Sequence, residues 1–299
     1  HRRKVLMRHQ LVHRLRGIVG KAHVAVCQDA DQMPALLALA SLLSALPAAS
    51  GWQKGVNTGK PGPHLNPRPL SLTYELSWNG ALNSGRVNFV FGRADKRYPE
   101  NYIAQGYGKS TGVAGGIFPY SFEYTSFLKK HDYTSSLFVS KEKDKEEVKT
   151  TTNRYGATTV TSTEVTTRFK KGSVPKTKKA TFKYSNHKVY DLLSTIQYIR
   201  SLPLKNGGNV HLVMHPFNSA YLARITVLGR EMHNGRQCIK LDLKLNKINN
   251  STMALKTYKK MKKTTMWMSD DAERLPMEFR IDAFIGDVRA VLDGYNYSK

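Results

Sequence analysis

The chain has 299 residues, enough for one or two domains and for a sizeable core that needs no disulfide or metal staples. Lys and Arg number 47 against 22 Asp and Glu, a formal charge of +25, and 40% of residues are hydrophobic, too many for a disordered chain. Two cysteines, Cys27 and Cys238, exclude a disulfide scaffold and any four-cysteine metal site, while the charge predicts a polyanionic partner.

Residues 1–32 carry seven Lys/Arg and two Asp. From Ala35 to Leu46 the chain is apolar or small, too short for a bilayer, which takes about 20 apolar residues. The run has the length of a signal-peptide hydrophobic region, and Pro47, Ala48, Ala49 and Ser50 follow it as a cleavage site would. The sequence therefore predicts export to the periplasm or beyond, with translation starting at Met7 or Met33 and cleavage near Ser50. The competing reading is an ordinary buried helix over 35–46. No cysteine follows the apolar run to carry a lipoprotein anchor, and no other segment approaches membrane-spanning length. Removing residues 1–50 leaves 40 Lys/Arg against 20 Asp/Glu, so the positive charge belongs to the mature domain. It also leaves Cys238 without a partner, read as a small buried residue in a strand.

Residues 51–69 are rich in Gly, Pro and Asn and read as a flexible arm, with one domain over 70–299. Leu72, Tyr74, Leu76 and Trp78 alternate with polar residues, the period of a half-buried strand. Asn79-Gly80 is a turn signal, and Val87, Phe89 and Phe91 alternate beyond it, so a hairpin is expected. Strands are predicted over Tyr98–Tyr107, Tyr120–Leu128 and Tyr133–Val139, with a glycine-rich connection at Thr111–Gly116 and a charged loop at Lys141–Glu147. Thr159, Thr161, Thr163 and Val165 share one face of a Thr-rich strand. One helix is predicted over Asp191–Leu202: Leu192, Ile196 and Ile199 follow helical spacing, Leu193 widens the stripe, Asp191 caps it and Pro203 ends it. Beyond it, His211–Met214, Leu222–Leu228, Ile239–Leu245 and Met277–Ala283 read as strands, with a turn at Asn234-Gly235 and a last hairpin at Gly286-Asp287. The expected fold is mostly β: about ten strands in a strongly curved antiparallel sheet, or an open incomplete barrel, wrapped on one helix.

Three motifs recur in order: Tyr74-Glu75-Leu76-Ser77-Trp78-Asn79-Gly80 with Gly85 and Val87; Asp191-Leu192-Leu193-Ser194 with Tyr198-Ile199-Arg200; and Trp267-Met268-Ser269-Asp270-Asp271 with Leu275-Pro276 and Gly286. Over about Leu70 to Leu292 the chain resembles the bacterial family called domain of unknown function 3108. The resemblance implies an exported Gram-negative envelope protein with an open barrel like that of periplasmic lipoprotein-localisation carriers. It carries no catalytic residues over.

Two partner surfaces are expected. An apolar ligand such as a lipid or acyl chain would lie in the concave face, lined by Phe89, Phe91, Ile196, Leu241, Leu243, Phe279 and Ile281. Anionic envelope components would meet the basic stretch at Arg168, Lys170, Lys171, Lys176, Lys178 and Lys179, together with Arg200, whose simpler reading is a salt bridge. A second basic cluster holds Lys256, Lys259, Lys260, Lys262 and Lys263. The alternative to a carrier is a filled core with a working basic surface. Nucleic acid is disfavoured, because aromatic residues do not interleave with the basic ones. Asp191 and Ser194 fall on one helical side but have no histidine at triad spacing. His211 and His215 share a strand face without an evident third ligand, and Asp270, Asp271 and Glu273 read as a charged turn. The sequence thus predicts a non-enzymatic protein without metal or cofactor.

Overall fold

In the computed structural model the described residues are 51–57, 59–64, 68–78, 80, 82–117, 119–184, 188–258, 261–283 and 286–298. The expected upstream region and signal peptide, 1–50, lie outside them, as do Lys259 and Lys260. Alternating apolar and polar residues build the strands. The first half contributes β1 (Leu70–Trp78), β2 (Leu82–Ala94), β3 (Asn101–Ser110), β4 (Ser121–Lys129), β5 (Ser135–Lys143), β6 (Glu147–Tyr155), β7 (Thr159–Arg168) and β8 (Lys176–Lys183). The second half contributes β9 (Val189–Tyr190), β10 (Asn209–Met214), β11 (Tyr221–His233), β12 (Arg236–Ile248), β13 (Leu255–Thr257), β14 (Met261–Ser269), β15 (Pro276–Ala283) and β16 (Gly286–Tyr297). Two α-helices interrupt them, α1 (Gly112–Ile117) and α2 (Leu192–Ser201).

The strands form one open sheet in the order β8-β7-β6-β5-β4-β3-β2-β1-β16-β15-β14-β12-β11-β10-β9, with β13 beside β12. The described ladders are antiparallel except for β9 against β10. The mostly-β, unclosed architecture is the expected one, but its sixteen described strands exceed the ten expected. Several of the extra ones are short, or too rich in Lys and Thr to carry an apolar stripe. The charged loop is smaller than expected, because β5 runs to Lys143 and β6 begins at Glu147. The Asp144 carboxylate accepts from the Glu146 and Glu147 amides and closes a tight turn between them. At the β11–β12 turn, Asn234 and Gly235 both have positive φ (48° and 74°), as a two-residue hairpin turn requires.

α2 lies in the hollow of the sheet. Its buried residues include Leu193, Tyr198 and Ile199 but also Thr195, Gln197 and Arg200, while Leu192 and Ile196 are only half-buried. The apolar stripe expected from the sequence is thus not the sole buried face. A helix enclosed by a curved sheet is covered on most sides, so its polar residues need partners of their own. The segment expected to be a free arm also packs inward. Trp52 is 9% exposed and donates its indole N–H to the Met253 carbonyl at 3.0 Å. Asn57 N donates to His211 O at 2.8 Å, and His64 N to Ser201 O at 3.2 Å.

Candidate functional site

The expected cavity lining is distributed through the core. Phe91 is 1% and Leu241 0% exposed, and Phe89, Ile196, Leu243 and Phe279 pack half-buried against the same cluster. Tyr74 anchors this region, with its ring 5.7 Å from Phe89 and 6.0 Å from Phe279 and its hydroxyl donating to Pro276 O at 2.6 Å. Ile281 is half-buried on β15.

Deeper in the hollow, Asp191 organises a polar knot. Its side chain caps α2 by accepting from Ser194 N at 2.9 Å, and its own amide donates to Ser194 Oγ at 2.7 Å, a reciprocal capping box. Ser135 Oγ donates to Asp191 Oδ2 at 2.8 Å, and Ser126 Oγ donates to the same oxygen. Burial pushes the Asp191 carboxyl above the usual carboxylate range, against the pull of these donors. Asp191 and Ser194 of the sequence motif therefore do meet. Ser126 and Ser135, which the sequence reading missed, complete the group. The available signal was a serine at an inward-facing position of β4, between Tyr124 and Leu128.

Arg200, the third member of that motif, lies elsewhere and is not a surface cation. It is 3% exposed and donates to Arg274 O at 3.0 Å, Gln197 Oε1 at 2.8 Å and Glu273 O at 2.9 Å. The last turn of α2 faces the sheet, so the guanidinium tethers the loop before β15 and cannot meet an external polyanion. The acids of that loop are matched by arginines. Asp270 pairs with Arg230 at 2.6 Å and Arg274 at 3.2 Å, and Asp271 and Glu273 pair with Arg236 at 2.8 and 3.0 Å.

His211 and His215 do not act together. His211 packs near Gly55, whereas His215 is fully buried beyond the end of β10. Tyr184, just past β8, shares a hydrogen bond with His215 Nδ1, and the Phe182 ring packs tilted against the imidazole with centroids 4.5 Å apart. Tyr155 and Asn153 on β6 donate to the His215 carbonyl at 2.6 and 3.2 Å. Side-chain hydrogen bonds, two of them ending on the His215 carbonyl, thus bridge the gap between the β6–β8 end of the sheet and the strand end at β10. Burial holds the imidazole down at about 3, and its Nε2 has no hydrogen-bond partner.

Cys238 is fully buried on β12, and burial pushes its thiol up to about 11. The folded protein is therefore expected to resist a thiol-specific disulfide reagent at pH 8 and to react fully in denaturant, as absorbance would show. Fast reaction in the native state would contradict this packing.

The remaining predicted cations cluster at one edge of the sheet. Lys176, Lys178 and Lys179 lie exposed on β8, and Lys170 and Lys171 are exposed in the turn before it. Arg168 pairs with Glu147 at 3.3 Å. Phe169 and Val174, in the same turn, are 52% and 75% exposed. Of the second basic cluster, Lys256 and Lys263 are exposed.

No curated protein matches the chain. Among solved structures, a β-barrel-like protein of domain of unknown function DUF1849 from Brucella abortus covers 78% of this chain and 98% of its own, with 8% identity and a TM-score of 0.47. The lipoprotein LppX of Mycobacterium tuberculosis covers 78% of this chain and 88% of its own, with 9% identity and a TM-score of 0.21. The family of proteins of unknown function DUF3108 matches residues 73–293, three-quarters of the sequence in one unbroken stretch, and the chain belongs to that family.

Proposed function

We propose that this is an exported, non-enzymatic protein of the cell envelope that docks on anionic membrane surfaces through its basic edge hairpin. The observation that carries this reading is the hairpin turn, where exposed Phe169 and Val174 stand among exposed Lys170, Lys171 and Lys176. Lysines near an anionic bilayer contribute about 1 kcal/mol each, and apolar side chains between them can enter the interface. The packed state of Phe91 and Leu241 favours a filled core over a lipid-carrying hollow.

Vesicle flotation tests the docking. The protein should bind phosphatidylglycerol vesicles but not phosphatidylcholine vesicles, and added salt should release it. Removing the three lysines as K170Q/K171Q/K176Q should weaken binding about 100-fold, from about 1 kcal/mol per lysine. Phe169→Ser with Val174→Ser should weaken it further at fixed charge. Wild-type affinity in the triple variant, or retention by an acidic glycan and not by vesicles, would sink the proposal. Lipid found on the natively purified protein by mass spectrometry would instead favour a carrier.

A further inference from the structure

The gap that keeps the sheet open is not closed along its whole length. Beside the His215 contact lies a cleft of about 420 Å³. The β7–β8 hairpin forms one wall, and the turns around Asn218 and Asn250 form the other. This volume suits a single ring-sized ligand.

The lining has a definite chemical character. Phe182 and Ile248 supply apolar surface, and Lys178 and Lys247 bring a cation from each wall. Among the described lining residues the one acid is Glu164, and it is already engaged: Asn218 Nδ2 donates to its Oε2 at 3.1 Å. Two lysines against one carboxylate leave the described lining net positive. Amide and hydroxyl groups of Asn218, Ser219, Asn249, Asn250 and Ser251 line the cleft as well, the donor and acceptor types that ligand hydroxyls need.

The geometry points to a binding site for a hydroxylated anion of monosaccharide size, an acidic sugar. Its carboxylate would lie between Lys178 and Lys247, its hydroxyls would meet the asparagines, and the C–H face of its ring would lie on Phe182. The cleft lies apart from the Phe169–Val174 turn and does not depend on membrane docking, although Lys178 stands on the same basic hairpin. The Asn218–Glu164 hydrogen bond joins the two walls directly, and the Tyr184–His215 contact ties them together nearby.

Calorimetric titration with D-glucuronate tests the assignment on the whole protein. A ligand of this size should bind with a Kd of about 1 mM. Lys178→Gln with Lys247→Gln should raise that Kd at least about tenfold, since each lysine contributes a charge-assisted contact. Asn250→Ala is a second variant, on a turn outside the sheet ladders, and should weaken binding while leaving the melting temperature unchanged. Neutral D-glucose should bind more weakly than D-glucuronate. Absence of saturable heat, equal binding of glucose and glucuronate, or full affinity in both variants would overturn the site. Vesicle binding by Asn250→Ala, which leaves every lysine of the basic hairpin in place, should stay as in the wild type, so loss of the sugar and loss of docking report separately.

Discussion

Asp191→Ala is expected to cost about 3 kcal/mol of stability. A lost helix cap costs about 1 kcal/mol, and a buried hydroxyl left without its acceptor costs about 1–3 kcal/mol. One such hydroxyl, on the fully buried Ser126, would be stranded, whereas Ser135 Oγ keeps Ser194 Oγ at 2.9 Å and the Asp191 amide at 2.8 Å. The loss is a large part of the roughly 5–15 kcal/mol that holds a domain folded. Asp191→Asn separates shape from charge. Its carboxamide oxygen still accepts from Ser194 N, and its NH₂ can donate to a serine oxygen, so it should cost less than about 1.5 kcal/mol. Urea midpoints of the two variants check this. If Asp191→Ala falls within about 1 kcal/mol of the wild type, the knot does not hold α2 in the sheet.

The contrast between these positions and the strands shows what a sequence carries. Period-two alternation in Leu72–Trp78 and Ile239–Leu245 marks strands because each has one face in the core and one in water, and the hollow of a single sheet imposes that condition along its length. The capping role of Asp191 was legible because a cap is local: donor and acceptor lie three residues apart. Its other partners, Ser126 and Ser135, are 65 and 56 residues away, and no local pattern connects them. Arg200 misleads for the same reason. A guanidinium in the last turn of a helix is ordinarily solvated, and only the sheet wrapped around α2 turns it inward. The cleft is less legible still, since Lys178 on β8 and Lys247 on β12 come to line one cleft only through the curvature of a long sheet.

His215 offers the sharpest test of how those ends are held. Its pKa is near 6.5 in an unfolded chain and about 3 in the folded protein, because burial penalises the cation. Between those values the unfolded chain binds a proton that the folded one refuses, so stability falls as pH falls. This contribution is fully present above about pH 6.5 and should amount to about 3 kcal/mol lost between pH 7 and pH 4. Protonation would also place a charge beside Phe182 and on an Nε2 that already lacks a partner. The carboxyls held low by their partners, Asp132, Asp271 and Glu231, act mainly below about pH 4, where unfolded carboxylates take up protons. Asp191, raised by burial, works in the opposite direction: its proton binds more readily in the fold, so its contribution strengthens as pH falls. A variant isolates the imidazole from these groups. His215→Asn keeps an amide near the Tyr184 hydroxyl but cannot titrate. It should be less stable than the wild type at pH 7, having lost the ring packed on Phe182, yet that deficit should shrink by about 3 kcal/mol at pH 4. Urea unfolding of both proteins at the two pH values measures the difference directly. Equal pH slopes would mean that the imidazole titrates normally, and that the contact joining the β8 end of the sheet to β10 is open in solution.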